Sequence, residues 1–268
     1  MVRVGLVGCG TIGSRLALAL QRDYPHAARI TALHDADPTH AHALARKLTP
    51  RPSIVSLPQL IRKSQLVLEA ASAQVSGEIV VRSLRAGRTV FVMSVGGLLS
   101  DLTWQRLARR SRGQVYIPSG ALAGLDGAKA LAVGRIRRAS LTTRKPPRGL
   151  ASAPYVQQRK LRLERLTRPM QLFEGSPRAV VEAFPQNTNV AAALTLALRQ
   201  GAARTRIRVV ADPTIRVNVH ELDIQGDCGR IQCRIESRPS TNPKTSELAV
   251  RSAVATLGRL FDAVQVGT

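Results

Sequence analysis

Val2-Arg3-Val4-Gly5-Leu6-Val7-Gly8-Cys9-Gly10-Thr11-Ile12-Gly13-Ser14 is the stretch that decides the fold. Residues 2–7 read as a short buried strand, the glycines as a turn, and Ser14–Arg22 as a helix with apolar Leu16, Leu18, Ala19 and Leu20. A bare G-x-G-x-x-G pattern is common; a strand before it and a helix after it give it meaning. Gly8 permits the tight turn, Gly10 lets backbone amides approach a pyrophosphate, and Gly13 lets the helix pack closely on the strand. The amides at the helix start, from Thr11 and Ile12 on, favour negative charge. The pattern therefore reads as a dinucleotide cradle.

Such a cradle calls for an acid at the end of the second strand, about 20 residues on. Ile30–Leu33 is that strand, and His34-Asp35 ends it. The Asp35 carboxylate can accept from both ribose hydroxyls, with a turn or helix cap before Pro38 as its alternative use. Ala36 and Asp37 follow, with no immediate arginine for a 2′-phosphate, so NAD is expected and NADP is the alternative.

The alternation continues with helix 38–48, strand 53–56, helix 57–63, strand 66–70, helix 74–86, strand 89–93, helix 101–111 and strand 115–118. This predicts an α/β Rossmann-type, doubly wound parallel sheet over residues 1–120. After about residue 135 the pattern changes. Ala139–Thr143 reads as a strand and Lys145-Pro146-Pro147-Arg148-Gly149 as a loop; Ser176-Pro177 starts a helix, and Val190–Leu198 is a small-residue helix. Residues 205–210, 215–224 and 229–236 follow as consecutive strands, giving a second, α+β domain over 121–242 for substrate and dimerisation. The last helix, within 243–264, is expected to pack back on the first domain.

Composition narrows the setting. The 268 residues are 44% hydrophobic, which is ordinary for a folded chain. No apolar run approaches the roughly 18–20 residues that span a bilayer, and strand pattern from the first residues leaves no room for a signal peptide. Cys9, Cys228 and Cys233 lack zinc-type spacing, so no metal site and a reducing cytoplasm are expected. The net charge of +23 comes from arginine, as only six of 40 basic residues are lysine. Residues 135–170 hold 11 basic residues against one acidic. Nucleic acid is the sharp explanation, but no helix-turn-helix, zinc finger or RNA-recognition motif is present, and aromatics are 3%. The charge is read instead as solvated surface and a funnel for acidic ligands, with Val156–Arg168 a helix-like solvated face.

Further motifs carry a family resemblance: Glu69-Ala70-Ala71-Ser72, Met93-Ser94-Val95-Gly96-Gly97-Leu98, and Pro118-Ser119-Gly120-Ala121-Leu122-Ala123-Gly124-Leu125-Asp126. Thr142-Thr143-Arg144-Lys145-Pro146-Pro147, Phe184-Pro185-Gln186-Asn187-Thr188-Asn189-Val190-Ala191, Asn218-Val219-His220-Glu221 and Thr241-Asn242-Pro243-Lys244-Thr245-Ser246 complete the set. Over nearly its whole length the chain resembles the L-aspartate dehydrogenase family. The resemblance implies a dimeric enzyme that oxidises L-aspartate to iminoaspartate with NAD(P). It implies that His220 is catalytic, that Ala123 and Asn189 contact the cofactor (Asn187 being the alternative to Asn189), and that the product can feed NAD biosynthesis; Ala71 and Ser72 are further candidate cofactor contacts.

Oxidising an α-amino acid requires a free amine, a hydride acceptor beside Cα, and anchors for two carboxylates. An imidazole that titrates near neutral pH suits the first need. On strand alternation Asn218, His220 and Leu222 share one face and Val217 and Val219 the other, so His220 is expected opposite the apolar face, in a cleft. Without the resemblance, a lone strand histidine reads as a hydrogen-bonded structural residue. His26, His34, His40 and His42 look incidental. Ser94, Asn187, Thr241, Asn242 and Lys244 are the candidate carboxylate anchors, each equally suited to a cap or turn. Lys129 reads as packing or exposed rather than as a base. The alternatives are the same fold acting on another small amino acid or an aldehyde, and a non-catalytic NAD-sensing, polyanion-binding protein.

Overall fold

A computed structural model describes residues 1–185, 189–240 and 246–267. They form two compact units, Met1–Pro118 with Val250–Gln265, and Ser119–Ala249 with the last residues of the chain.

The first unit alternates strands and helices: β1 (Val2–Val7), α1 (Thr11–Asp23), β2 (Ala28–His34), α2 (Pro38–Ala45), β3 (Ser53–Ile54) and α3 (Leu57–Lys63). Then come β4 (Leu66–Glu69), α4 (Ala73–Arg85), β5 (Thr89–Val92), a 3-10 turn at Val95–Leu99, α5 (Thr103–Arg110) and β6 (Val115–Tyr116). All strands are parallel in the order β3-β2-β1-β4-β5-β6. Parallel strands are covered on both faces, so they consist of apolar runs, as Val4, Leu6, Leu66, Val67, Leu68, Val90 and Phe91 show. The chain winds outward from β1 to β3 and returns to the other side of β1 for β4. That reversal opens a crevice at the carboxyl ends of β1 and β4.

Helix α1 starts three residues before the apolar periodicity, because the glycine turn feeds straight into it. It buries Leu16, Ala17 and Leu20 on the core. A Cβ on Gly13 would lie 1.9 Å from the Gly8 carbonyl oxygen, so only glycine allows this approach. Ala253 and Leu257 of the last helix are buried in the same core, and the Phe261 ring lies 5.2 Å from that of Tyr24.

The second unit contains α6 (Leu125–Leu131), β7 (Ile136–Lys145), α7 (Pro154–Gln158), β8 (Met170–Gly175), α8 (Pro177–Ala183), α9 (Asn189–Leu198), β9 (Thr205–Ala211), β10 (Asn218–Gly226) and β11 (Arg230–Ser237). Helix α10 (Glu247–Gly258) runs from it into the first unit. The sheet order is β11-β10-β7-β9-β8, mixed because β7 and β9 run parallel while their other neighbours run antiparallel. One sheet face buries Leu141, Ile207, Val209, Leu222 and Ile224 with Val180, Phe184 and Leu194 of the helices. The other face carries ion pairs across strands: Arg144–Glu221 at 3.0 Å, Arg234–Glu221 at 2.7 Å and Arg230–Asp223 at 2.7 Å.

Several expectations are corrected. Lys145 ends a ten-residue strand rather than opening a loop; only the prolines after it, which lack an amide proton, end the pairing. β10 starts at Asn218, not 215, because the Asp212 carboxylate accepts from Thr214 N and Oγ1 and holds a turn there. β8 was not expected. Residues 156–168 are not one helix: α7 ends at Gln158, Lys160 has φ 51°, and a 3-10 turn covers Leu163–Arg165. The basic side chains Arg159, Lys160, Arg162, Arg165 and Arg168 are exposed, as expected.

The glycine contacts set a stability contrast. Gly13→Ala should lower the unfolding free energy by about 3 kcal/mol or more, since backbone has to move. Gly10→Ala, whose Cβ meets nothing within 4 Å, should change it by less than about 1 kcal/mol. Urea denaturation of both variants reads the difference.

Candidate functional site

In the first unit the crevice is a cavity of about 430 Å³ lined by Gly8, Gly10, Asp35, His40, Ala71 and Ser72 among others. Gly8 has φ +90°, and a Cβ there would lie 2.4 Å from the Ala70 carbonyl oxygen. Gly10 is the N-cap of α1, has no capping side chain among the described residues, and faces open space. The first turn of α1 has no acid, so its positive end is not neutralised from within. Of the other expected cofactor residues, Thr11 is exposed, Ile12 is partly packed on the core, and Gly13 acts through helix packing.

Asp35 is half-buried at the end of β2. Its Oδ2 accepts from Cys9 N at 2.5 Å and its Oδ1 from Asp37 N at 2.9 Å. The carboxylate is thus pinned to the glycine turn. Asp37, not Asp35, caps α2, accepting from Thr39 N at 2.9 Å. His40, expected to be incidental, lines the cavity with Nδ1 3.8 Å from Asp35. Its spacing, at the start of the helix that follows Asp35, was the available signal. No arginine or lysine is among the cavity's described lining residues.

Ala71 and Ser72 lie on the β4–α4 loop and Ser94 on the loop after β5. One side chain joins the two loops. Buried Glu69 accepts from Ala71 N through Oε1 and from Ser94 N through Oε2, each at 2.9 Å. Burial pushes the Glu69 carboxyl above its usual range, against the pull of the Ser94 and Ala71 hydrogen bonds. Sequence reasoning passed over Glu69, though an acid at the end of the apolar run Leu66-Val67-Leu68 was its signal.

In the second unit His220 is 3% exposed, and its Nδ1 lies 3.1 Å from Thr143 Oγ1, the directly opposed residue on β7. The expected strand facing is corrected. Asn218, His220, Leu222 and Ile224 are all buried, and it is the Glu221 and Asp223 side that meets solvent. The expected neutral-range titration is corrected too. Burial, then the charge of Lys145, lowers the His220 pKa to about 3, so the imidazole is neutral at pH 7. Lys145, 4% exposed on the same face, has its own pKa lowered by burial to about 8. A buried lysine is the signal that the loop reading of 145–149 hid.

Ala123 is exposed in the loop ahead of α6, and Asn189 is exposed at the first position of α9. Asn187, Thr241, Asn242 and Lys244 lie outside the described residues. Lys129, on α6, has its Nζ 3.8 Å from Asp126.

Two family models match the chain: the NAD-binding domain of homoserine dehydrogenase over residues 8–118, and the C-terminal domain of aspartate dehydrogenase over residues 126–260. The chain is 41% identical to the L-aspartate dehydrogenase of Methanosarcina acetivorans, with all of both chains covered. It is 40% identical to L-aspartate dehydrogenase 3 of Bordetella bronchiseptica, covering 99% of this chain and 97% of that one. Among solved structures, aspartate dehydrogenase from Thermotoga maritima has the same fold, with a TM-score of 0.75 at 23% identity over all of both chains. With a dinucleotide-type crevice in one unit and a buried histidine in the other, the chain is an oxidoreductase and belongs to the L-aspartate dehydrogenase family.

Proposed function

We propose that the protein oxidises L-aspartate to iminoaspartate, with NAD as the preferred acceptor and His220 as the group that takes the amine proton. The observation that carries this reading is the neutral imidazole, buried and oriented by Thr143, within the region that matches the aspartate dehydrogenase C-terminal model.

The residues of the crevice fit a dinucleotide. Bare amides at the start of α1 would hold the pyrophosphate, and Asp35, already fixed by Cys9 N, would accept from the ribose hydroxyls. Asp35 favours NAD, because a 2′-phosphate there would meet a carboxylate. Glu69 would hold the Ala71 and Ser94 loops still beside the bound nucleotide. When bound, the nicotinamide supplies the hydride acceptor. The substrate loses a hydride from Cα and a proton from its amine, the C=N bond forms, and His220 Nε2 holds the proton while Nδ1 stays with Thr143. Water then converts iminoaspartate to oxaloacetate and ammonia, unless it is drawn into NAD biosynthesis. The protein is further proposed to act as a homodimer, as the family resemblance of its sequence implies.

Purified protein should generate reduced nicotinamide absorbance with L-aspartate and NAD. No signal in that direction, and none consumed with oxaloacetate and ammonia, would overturn the assignment. His220→Ala should lower kcat by about 100-fold or more while NAD binding stays within twofold. Asp35→Asn should shift the NAD-to-NADP preference toward NADP by about tenfold, seen as a change in the ratio of kcat/KM values.

The buried imidazole also predicts a pH dependence of stability. Because the folded pKa is depressed, the unfolded chain takes up a proton below about pH 6.5 that the folded chain refuses until about pH 3. His220 therefore contributes full stability above pH 6.5, lost as pH falls through that window. Urea denaturation between pH 6.5 and 4 should show His220→Gln with a slope shallower by up to about 1.4 kcal/mol per pH unit.

A further inference from the structure

Lys145, Asn218 and Ser237 are buried at one end of the second sheet, on the same side as His220. Register fixes their order. His220 opposes Thr143 and Val219 opposes Arg144, so the next step sets Asn218 beside Lys145, while Asn218 opposes Ser237 on β11. Strand alternation then places Thr143, Lys145, Asn218, His220 and Ser237 on one face.

Asn218 is 2% exposed and Ser237 6%, yet Asn218 Nδ2 and Ser237 Oγ have no hydrogen-bond partner among the described residues. Buried polar atoms in folded proteins are almost always paired, so two orphans facing each other across adjacent strands mark a place that a ligand completes. The chemistry of that ligand follows from the donors. An amide NH₂, a hydroxyl and an ammonium all donate, and their joint complement is an anionic oxygen. Asp212, the nearby buried acid, has its Oδ1 engaged by Thr214 N at 3.0 Å and Thr214 Oγ1 at 2.6 Å.

We propose that Lys145, Asn218 and Ser237 form a carboxylate subsite beside His220, which binds one carboxylate of the amino-acid substrate and sets its amine at the imidazole. The proposal rests on the reading of His220 as proton acceptor and deepens it, since it identifies residues that select an acidic substrate. It also bears on that reading. Burial, and after it the charge of Lys145, holds the proton affinity of His220 down; an arriving carboxylate offsets the second of these, so the proton affinity rises when substrate is in place.

The test uses the full protein with succinate, a dicarboxylate without an amine, as probe. Lys145→Met should raise the KM for L-aspartate about 100-fold, and Asn218→Ala about tenfold, with calorimetric NAD binding unchanged within twofold. Succinate should compete with L-aspartate on the unaltered protein and lose its calorimetric signal with Lys145→Met. Wild-type KM and wild-type succinate binding in both variants would overturn the subsite. A crystal structure of the unaltered protein with succinate decides the matter whether or not the variants fold. A carboxylate oxygen within hydrogen-bond distance of Lys145 Nζ and Asn218 Nδ2 supports the proposal; succinate elsewhere, absent, or bound at crystal concentration only overturns it. Succinate held at Lys145 by a protein that does not turn over L-aspartate would refute the assigned reaction and leave the subsite standing.

Discussion

The contact between Gly13 and the carbonyl of Gly8 is the constraint on which the first unit depends. With no side chain at position 13, α1 begins directly at the end of β1, and its free amides open at the sheet's carboxyl edge. Everything else in the crevice is referred to that point. Cys9 N, in the same turn, is tied to Asp35, so the end of β2 is held to the end of β1 by a charged acceptor rather than by packing alone. Glu69 does the same on the other side of the switch point, joining the loops after β4 and β5. Two carboxyl groups and one missing methyl thus hold together the loops around the cavity.

The second unit solves a different problem. Its sheet has one apolar face, and at one end of that face polar side chains replace the aliphatic ones without leaving the interior. Burial depresses the charged forms of both the ammonium and the imidazole placed there, and the charge of the ammonium lowers the imidazole further. Such a cluster is expensive to fold, and it is tolerated where the same desolvation strengthens interaction with a charged ligand. Thr143 matters here because it takes one ring nitrogen of His220 and so leaves the other as the nitrogen open to a further partner.

Legibility differed between the units for physical reasons. Parallel strands buried on both faces leave uninterrupted apolar runs between helices, so Val2–Val7, Leu66–Glu69 and Thr89–Val92 were readable to within a residue or two. In the mixed sheet the pattern is weaker. β8 alternates poorly, as an edge strand with only Leu172 fully buried, and was missed. Lys145 was read as a loop because buried lysines are rare and two prolines follow it. His220 was assigned the wrong environment by comparing it with Val219, whose side chain is buried on the nominally polar face; Leu222 and Ile224, two and four residues on, carried the correct information.

Some of the arginines have a place in the same sheet. Where one face is occupied by core, the other must be made compatible with water without inviting a further strand or sheet to stack. Arg144, Arg208, Arg230 and Arg234 do this across strands with Glu221, Glu174 and Asp223, and Arg234 also pairs with Glu236 on its own strand. Each exposed pair adds little to stability. Together they cover the face with matched rather than single-sign charge, which is the opposite of what a phosphate backbone would select. The net charge of +23 comes from the cations not spent in such pairs, and these bias the field toward anions. Charge on the surface acts on anions at a distance and without selectivity, whereas a buried lysine, in a far lower dielectric, acts only on what reaches it.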